Sequence, residues 1–434
     1  MSGIKRNFIR YVAPGVASMW VYAFYTMADG VFVAHGVGPD ALAAVNLCIP
    51  FNCFALALGV LFALGASTKM SIALGEGDRE EACQIFTQNI ITVALVSVCF
   101  SLLVATNLEF FARLLGAEGA TLGYTIEYLR YISLFSVCFL VSYNLEIQLK
   151  AEGAPFVAAV GTMACGLTNV GLDALFVLKF GWGVEGASLA TGISQGISMI
   201  IFLCYFIWKS KRIHFCSFRF RWNRLKDTIA LGVSGFVGEL DASFTSLLYN
   251  RVIFHVAGGD GLIAYTVVAY VQTMVANTMM GVSQGVCPLI SYSFGAEDAN
   301  AERAYRCLAL WTLGIGGVAA TALTVLFAPA LASIYLSPAL PSFSLAVTAL
   351  RVYAPVFLLL GFGIFFINDF MAVNRGGTAF RLSLLSLACV CIAVVAMGYT
   401  MGATGVWLSA FAAKAITVPV ALLLKRKKQP MLHA

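Results

Sequence analysis

The sequence predicts an all-α integral membrane protein, with about twelve transmembrane helices arranged as two pseudo-symmetric six-helix bundles. Three observations lead there: a scarcity of charge, a train of long apolar segments, and a pattern that repeats in the second half. Of the 434 residues, 60% are hydrophobic and only 11% charged, with a mean hydropathy of +0.88. A soluble domain carries about 25% charged residues, so a chain this poor in charge would expose apolar patches over most of a soluble surface. A spanning helix takes about 20 residues, and the length accommodates about a dozen with short loops.

Apolar segments bounded by Gly, Pro and charge give spans at 8–34, 41–74, 85–106, 122–149, 155–180, 184–208, 227–255, 262–294, 302–327, 345–373, 378–400 and 404–424. The longest charged connection is 209–226, with Arg219, Arg221 and Arg224. It separates a first bundle (1–208) from a second (227–424), and a basic tail follows (425–434). The start is basic, but its apolar segment runs too far for a cleaved signal and reads as the first span.

Lys and Arg gather at Lys5, Arg6 and Arg10, in the stretch Lys209 to Lys226, and at Lys425 to Lys428. With both termini placed in the cytoplasm, 21 of the 27 fall inside and five outside, leaving Lys414 within a span. That is the bias expected of cytoplasmic loops, and basic juxtamembrane segments suit anionic lipid. No basic soluble domain exists to carry nucleic acid. The twelve Cys form no CxxC pair; Cys48, Cys53, Cys99, Cys138, Cys165 and Cys391 lie in apolar runs, where free Cys acts as a small apolar residue. His35, His214, His255 and His433 are scattered and make no metal constellation.

The halves repeat. Gly65, Ser71, Gly75 and Asp78 recur 220 positions later as Gly285, Ser291, Gly295 and Asp298; Gly38, Asp40, Leu42 and Ala44 recur as Gly258, Asp260, Leu262 and Ala264. Gly183 and Gly186 answer Gly402 and Gly405. Six spans per half gives both the same orientation, so these are parallel repeats about an axis along the membrane normal. That arrangement places a substrate between the halves and points to transport rather than catalysis.

Ionisable groups in hydrocarbon cost several kcal/mol and face a cavity or a partner. Asp29 lies seven residues before Gly36, and Asp173 eight before Gly181. Both spans run outward, so at 1.5 Å per residue both carboxylates sit about 10 Å below the outer end. Asn169 shares a helix face with Asp173, and Tyr128 and Thr191 lie at similar depth in inward-running spans. The functional reading is a proton or cation site, since hard oxygen ligands suit H⁺ or Na⁺ better than a thiol-seeking metal. The bland alternative holds these groups by helix ends and water, as glue between helices.

The second half differs. Tyr249 stands where the offset would put Asp29, and no acid stands in the eleventh span. Glu239 and Asp241 lie near the middle of the seventh span and Lys414 near the middle of the twelfth; they read either as a Glu239–Lys414 or Asp241–Lys414 pair or as a substrate-contacting acid. Asp369, close to Arg375 at the cytoplasmic end, reads as structural. Pro14 removes an amide donor and loosens the preceding turn; it is either a hinge for the first span or a static kink. Gly181 to Gly186 fits G-x-G-x-x-G, but a dinucleotide fingerprint needs a strand–turn–helix unit around it, whereas this lies in a tight turn between spans.

Asp29-Gly30-Val31-Phe32-Val33-Ala34-His35-Gly36 with Ala41-Leu42-Ala43-Ala44-Val45, and Asn169-Val170-Gly171-Leu172-Asp173 followed by Gly183 to Thr191, resemble signatures of the multidrug and toxic compound extrusion (MATE) family. Gly285 to Gly295 and the turn near Gly75 add to the resemblance, which covers nearly the whole chain. It implies a V of two six-helix bundles that exports drugs or other small organic molecules, often cationic, by alternating access in exchange for H⁺ or Na⁺. It maps the coupling site, and any bound Na⁺, to Asp29, Asn169, Asp173 and Thr191, with Tyr128 beside them, and matches Pro14 to a proline where some members bend. Ser234 stands where a proline often opens the seventh span, and the tenth span lacks the carboxylate that some Na⁺-coupled members use. The expectation is a monomer in the plasma membrane, in contact with lipid and small-molecule substrates and needing no cofactor beyond its coupling ion.

Three other readings compete. A flippase for lipid-linked oligosaccharide should line its cleft with several basic residues, yet the spans offer chiefly Lys414. An intramembrane enzyme would need a nucleophile with its base, or an H-E-x-x-H pair, and neither is present. A channel would need a filter of repeated carbonyl or charge rings.

Overall fold

The structure, a computed structural model, describes residues 2–426. Met1 and the end of the basic tail, with Lys427, Lys428 and His433, lie outside the described residues. The order is α1 (Ser2–Gly36), α2 (Pro39–Leu47), α3 (Ile49–Glu76), α4 (Arg79–Ala105), the short α5 (Leu108–Leu114), α6 (Ala120–Glu152), α7 (Pro155–Asp173) and α8 (Gly183–Trp208). After the linker come α9 (Trp222–Gly295), α10 (Ala299–Leu326), the short α11 (Ala328–Ser333), α12 (Pro341–Tyr353), α13 (Phe357–Ala372) and α14 (Gly376–Arg426). A π-helical segment, Ala174–Lys179, continues α7, and a 3₁₀ turn, Ala354–Val356, joins α12 to α13.

Ten helical stretches are long and apolar enough to cross a membrane, and two of them cross twice, which makes twelve crossings. α9 has 74 residues and α14 has 51, far more than a bilayer needs. Each leaves the helical region at one glycine, Gly258 (φ 65°, ψ −158°) and Gly402 (φ 64°, ψ −147°), a conformation open to a residue without Cβ. The rings of Tyr249 and Tyr265 stack at 5.2 Å across the first turn; sixteen residues of unbroken helix would hold them about 24 Å apart. At the second, a Cβ on Gly405 would lie 2.0 Å from the Met397 carbonyl.

The repeat is therefore written in the backbone. Left-handed or extended positive-φ positions pair across the halves: Gly38 with Gly258, Gly77 with Glu297, Gly153 with Asn374, Gly183 with Gly402. Beside the second pair, Asp78 accepts from the Glu81 amide and Asp298 from those of Asn300 and Ala301. Each carboxylate satisfies orphan amides at a helix start.

The bundles form a V whose closed end lies on the face that carries the start of α1 and the end of α14. There the backbones touch. A Cβ on Gly65 would sit 2.0 Å from the Thr228 carbonyl, one on Gly232 1.7 Å from that of Leu61, and one on Gly295 2.1 Å from that of Ile72. Farther in, Trp20 Nε1 donates to Thr278 Oγ1 at 2.9 Å, and the Phe54 and Phe236 rings meet edge to face at 6.2 Å. Ion pairs bridge the same face: Lys69 with Asp227 at 3.0 Å, and Arg224 with Glu81 at 2.7 Å, the guanidinium also donating to Gln84 and Gln88.

Several expectations change in detail. Helices overrun the apolar segments, so α1 takes in Lys5 and Arg6, and the linker is non-helical only up to Arg221. Hydropathy marks the hydrocarbon thickness, whereas a helix continues until a cap or glycine ends it. Lys150, counted with the cytoplasmic loops, is instead 2% exposed, because α6 runs on to Glu152 and Lys150 pairs with Glu146 at 2.7 Å. Asp369 pairs with Arg306 (2.6 Å) and Lys425 (3.0 Å) rather than with Arg375, which donates to the Leu424 carbonyl and lies over the Phe370 ring.

The seam of bare backbones sets a test. Gly232→Ala drives a methyl into the Leu61 carbonyl and should lower stability by about 1–3 kcal/mol. Gly238→Ala, on the same helix with nothing within 4 Å, should leave the melting temperature unchanged or raised. Thermal unfolding of the detergent-solubilised protein followed by size-exclusion distinguishes them. Asp369→Asn, which leaves Arg306 only Glu302 and takes the buried carboxylate from Lys425, should cost about 1.5–3 kcal/mol in the same assay.

Candidate functional site

Helices α1 and α7 pack side by side in parallel, and two contacts fix their register. A Cβ on Gly166 would lie 2.7 Å from Val21 and 3.5 Å from Tyr25, and one on Gly36 2.5 Å from Val177. The numbering offset is thus about 141 to 145 along the whole contact, which sets Asp29 level with 170–174. Asp29 and Asp173 meet at one depth and act on each other electrostatically. Tyr128 of α6, 4% exposed, lies within electrostatic reach of both and close to the Asn52 side chain. Asn169 Nδ2 donates to Thr191 Oγ1 of α8 at 3.3 Å. The five residues singled out in the first half therefore come together.

Their oxygens are not satisfied. Both carboxylate oxygens of Asp173, Oδ1 of Asp29 and Oδ1 of Asn169 are buried with no hydrogen-bond partner among the described residues. A buried acceptor without a donor loses its full hydration, so four such atoms facing one level make a place that favours a proton or a small cation. The donors are all oxygens, the set that suits a hard ion. Immediately after Asp173 the helix widens into the π-turn Ala174–Lys179, with Phe180 N–H donating to the Leu175 carbonyl at 2.9 Å. Such turns collect at functional sites.

The second bundle is filled at the matching place. Tyr249 stacks on Tyr265 and hydrogen-bonds Ser409 Oγ at 2.6 Å, among Val252, Val406, Trp407 and other core residues. Its charged residues lie elsewhere. Asp241 accepts from Thr245 (2.7 Å), and Lys414 donates to Ser386 (2.9 Å) and packs over Gly363. Asp241 and Lys414 are electrostatic neighbours without an ion pair. Glu239 instead faces the first bundle, within electrostatic reach of Tyr22 and Tyr143. Tyr143 of α6 also lies close to Gln284 of α9, so this acid sits where the two bundles meet. Pro14 lies beside the seam, next to Gly15, whose Cβ would be 2.9 Å from the Gly281 carbonyl.

Sequence reasoning passed over Glu146 and Lys150, a buried pair on one face of α6. The signal was there: an acid and a base four residues apart at the end of an apolar run. It also passed over Tyr25, one turn before Asp29, whose hydroxyl accepts from Gln195 at 3.4 Å. Tyrosines and glutamines in spans are common, and only the fold brings them to one place.

The family model MatE matches residues 14–175, the part of the chain that carries Asp29, Tyr128, Asn169 and Asp173. The multidrug export protein MepA of Staphylococcus saprophyticus is 25% identical over 98% of this chain and 94% of its own length. Among solved structures, an outward-facing multidrug resistance MATE transporter superposes with a TM-score of 0.92 at 22% identity, covering 98% of this chain and 95% of that one. A MATE structure in a bent conformation gives 0.91 at 22% identity over 98% and 95%. With twelve crossings in two repeats and the site built between α1, α6, α7 and α8, the chain is similar to MATE transporters along nearly its whole length, a likeness that supports a membrane transporter rather than an enzyme.

Proposed function

We propose that this transporter exports small organic molecules, drugs among them, across the plasma membrane in exchange for H⁺ or Na⁺, by alternating access. One observation carries the coupling: Asp29 and Asp173 lie at one level in the first bundle with buried oxygens that lack partners. The printed name of the relative MepA supports a multidrug cargo. Neutralising two neighbouring carboxylates, by protonation or by a bound ion, removes their mutual repulsion and lets the helices that carry them close together. Asn169 and Thr191 would share such an ion, and Tyr128 would orient toward it. Glu239, among Tyr22 and Tyr143 at the junction of the bundles, is the acid suited to meet a cationic cargo. Both termini are assigned to the cytoplasm by the distribution of Lys and Arg.

The driving force is adequate. One charge moving inward across about 100 mV releases about 2.3 kcal/mol, and a tenfold gradient of a neutral solute requires about 1.4 kcal/mol. The rival flippase reading gains nothing from Lys414, which is engaged with Ser386 inside the second bundle.

In proteoliposomes under an imposed pH or Na⁺ gradient, Asp29→Asn and Asp173→Asn should each abolish concentrative transport of a fluorescent cationic drug. The gradient that drives the wild type identifies the ion. Uphill transport retained by both variants would overturn the coupling site. Pro14→Ala should reduce the transport rate severalfold at unchanged expression, because the loosened turn beside Gly281 can no longer bend; a wild-type rate would remove the hinge.

A further inference from the structure

The linker between the bundles carries more charge than the protein uses. Arg224 is buried against Glu81, and Lys69 is paired with Asp227. By contrast Lys209, Lys211, Arg219 and Arg221 are exposed and have no ion-pair partner among the described residues. No acid stands anywhere in 209–221. Interleaved with these cations are exposed aromatic rings: Trp208 at 75%, Trp222 at 67% and Phe220 at 49%, the last two edge to face at 5.1 Å.

This segment is held in place. Gln88 donates to the Arg221 carbonyl (3.0 Å) and accepts from the Arg221 amide (3.2 Å). Thr87 Oγ1 accepts from the Cys216 amide, Ser210 bonds Glu152, and Ile213 is fully buried. The chain thus spends side chains of α4 and α6 to fix an irregular segment whose outward surface is aromatic and cationic. Its position names the partner. Trp208 ends the helix of the sixth crossing and Trp222 opens that of the seventh, so the segment joins two crossings just outside their apolar runs, at headgroup level. Tryptophan favours that layer, and lysine and arginine there attract anionic lipid phosphates.

We propose that the linker segment 209–221, with Trp208 and Trp222 at its ends, is a binding site for anionic phospholipid, its rings seated among the headgroups and Lys209, Lys211, Arg219 and Arg221 on their phosphates. The site depends on charge complementarity and on the fixed segment, not on the coupling carboxylates.

The test uses the full chain in nanodiscs of phosphatidylcholine with and without phosphatidylglycerol, counting retained lipids by native mass spectrometry. The wild type should retain phosphatidylglycerol preferentially, and high salt should weaken the preference. Replacing all four by glutamine (K209Q/K211Q/R219Q/R221Q) should lower it about tenfold or more, while Arg303→Gln, an exposed cation on α10, should leave it intact. An unchanged preference in the fourfold variant, or an equal loss in Arg303→Gln, overturns the proposal. Should the charge variant fold poorly, quenching by phosphatidylglycerol brominated near its headgroup decides: W208F/W222F should lose a component that the wild type shows, and identical quenching overturns the proposal. Displacement of the lipid by a nucleic-acid oligomer at equal charge would also overturn it.

Discussion

The two bundles touch through backbone, and much else follows from that contact. Where Gly65 meets Thr228, Gly232 meets Leu61 and Gly295 meets Ile72, no side chain lies between the helices. Small residues at a helix crossing bring main chains together and gain van der Waals contact where lipid offers no hydrophobic drive for association. The seam runs along one face only. It fixes the hinge end of the V, brings Glu239 of the second bundle against Tyr22 and Tyr143 of the first, and leaves the interior of each bundle to be organised by its own six crossings.

Those interiors have diverged within one scaffold. The backbone turns match, residue for residue, at Gly38 and Gly258 or Gly183 and Gly402. The contents do not. Around Asp29 and Asp173 the first bundle keeps acceptors without donors, whereas around Tyr249 the second closes with stacked rings and a hydroxyl pair. A buried polar group without a partner destabilises a protein by amounts comparable to its weakest cooperative units. Orphaned polar atoms persist in both repeats, Trp407 Nε1 and Thr417 Oγ1 among them in the second, but only the first gathers carboxylate oxygens without donors at this place.

Much of this was legible in the sequence because the bilayer simplifies the problem. Apolar run length set the crossings, the glycine offset set the repeat, and counting residues from each span end placed Asp29 and Asp173 at one depth. The helix ends were not legible, since α1 and α6 continue through charged residues once past the hydrocarbon. Nor were lateral partners. Depth is a one-dimensional quantity, and it could not tell that Lys150 turns back on Glu146, that Asp369 chooses Arg306 and Lys425 over Arg375, or that Glu239 faces across the seam while Asp241 faces Lys414. Rotation about the helix axis decides each of these, and a span that is apolar nearly all round leaves that angle unmarked.

If Asp29 and Asp173 are the coupling centre proposed above, their number bounds the electrical work available in each cycle. A centre with two carboxylates can take up at most two elementary positive charges per turnover. Across about 100 mV, two charges supply about 4.6 kcal/mol of electrical work, equivalent to an accumulation ratio of about two-thousandfold for a neutral solute before any ion concentration gradient is added. A duplicated scaffold with acids in both copies would have twice that ceiling. In this one the place that matches Asp29 holds Tyr249, hydrogen-bonded to Ser409, instead of an acid.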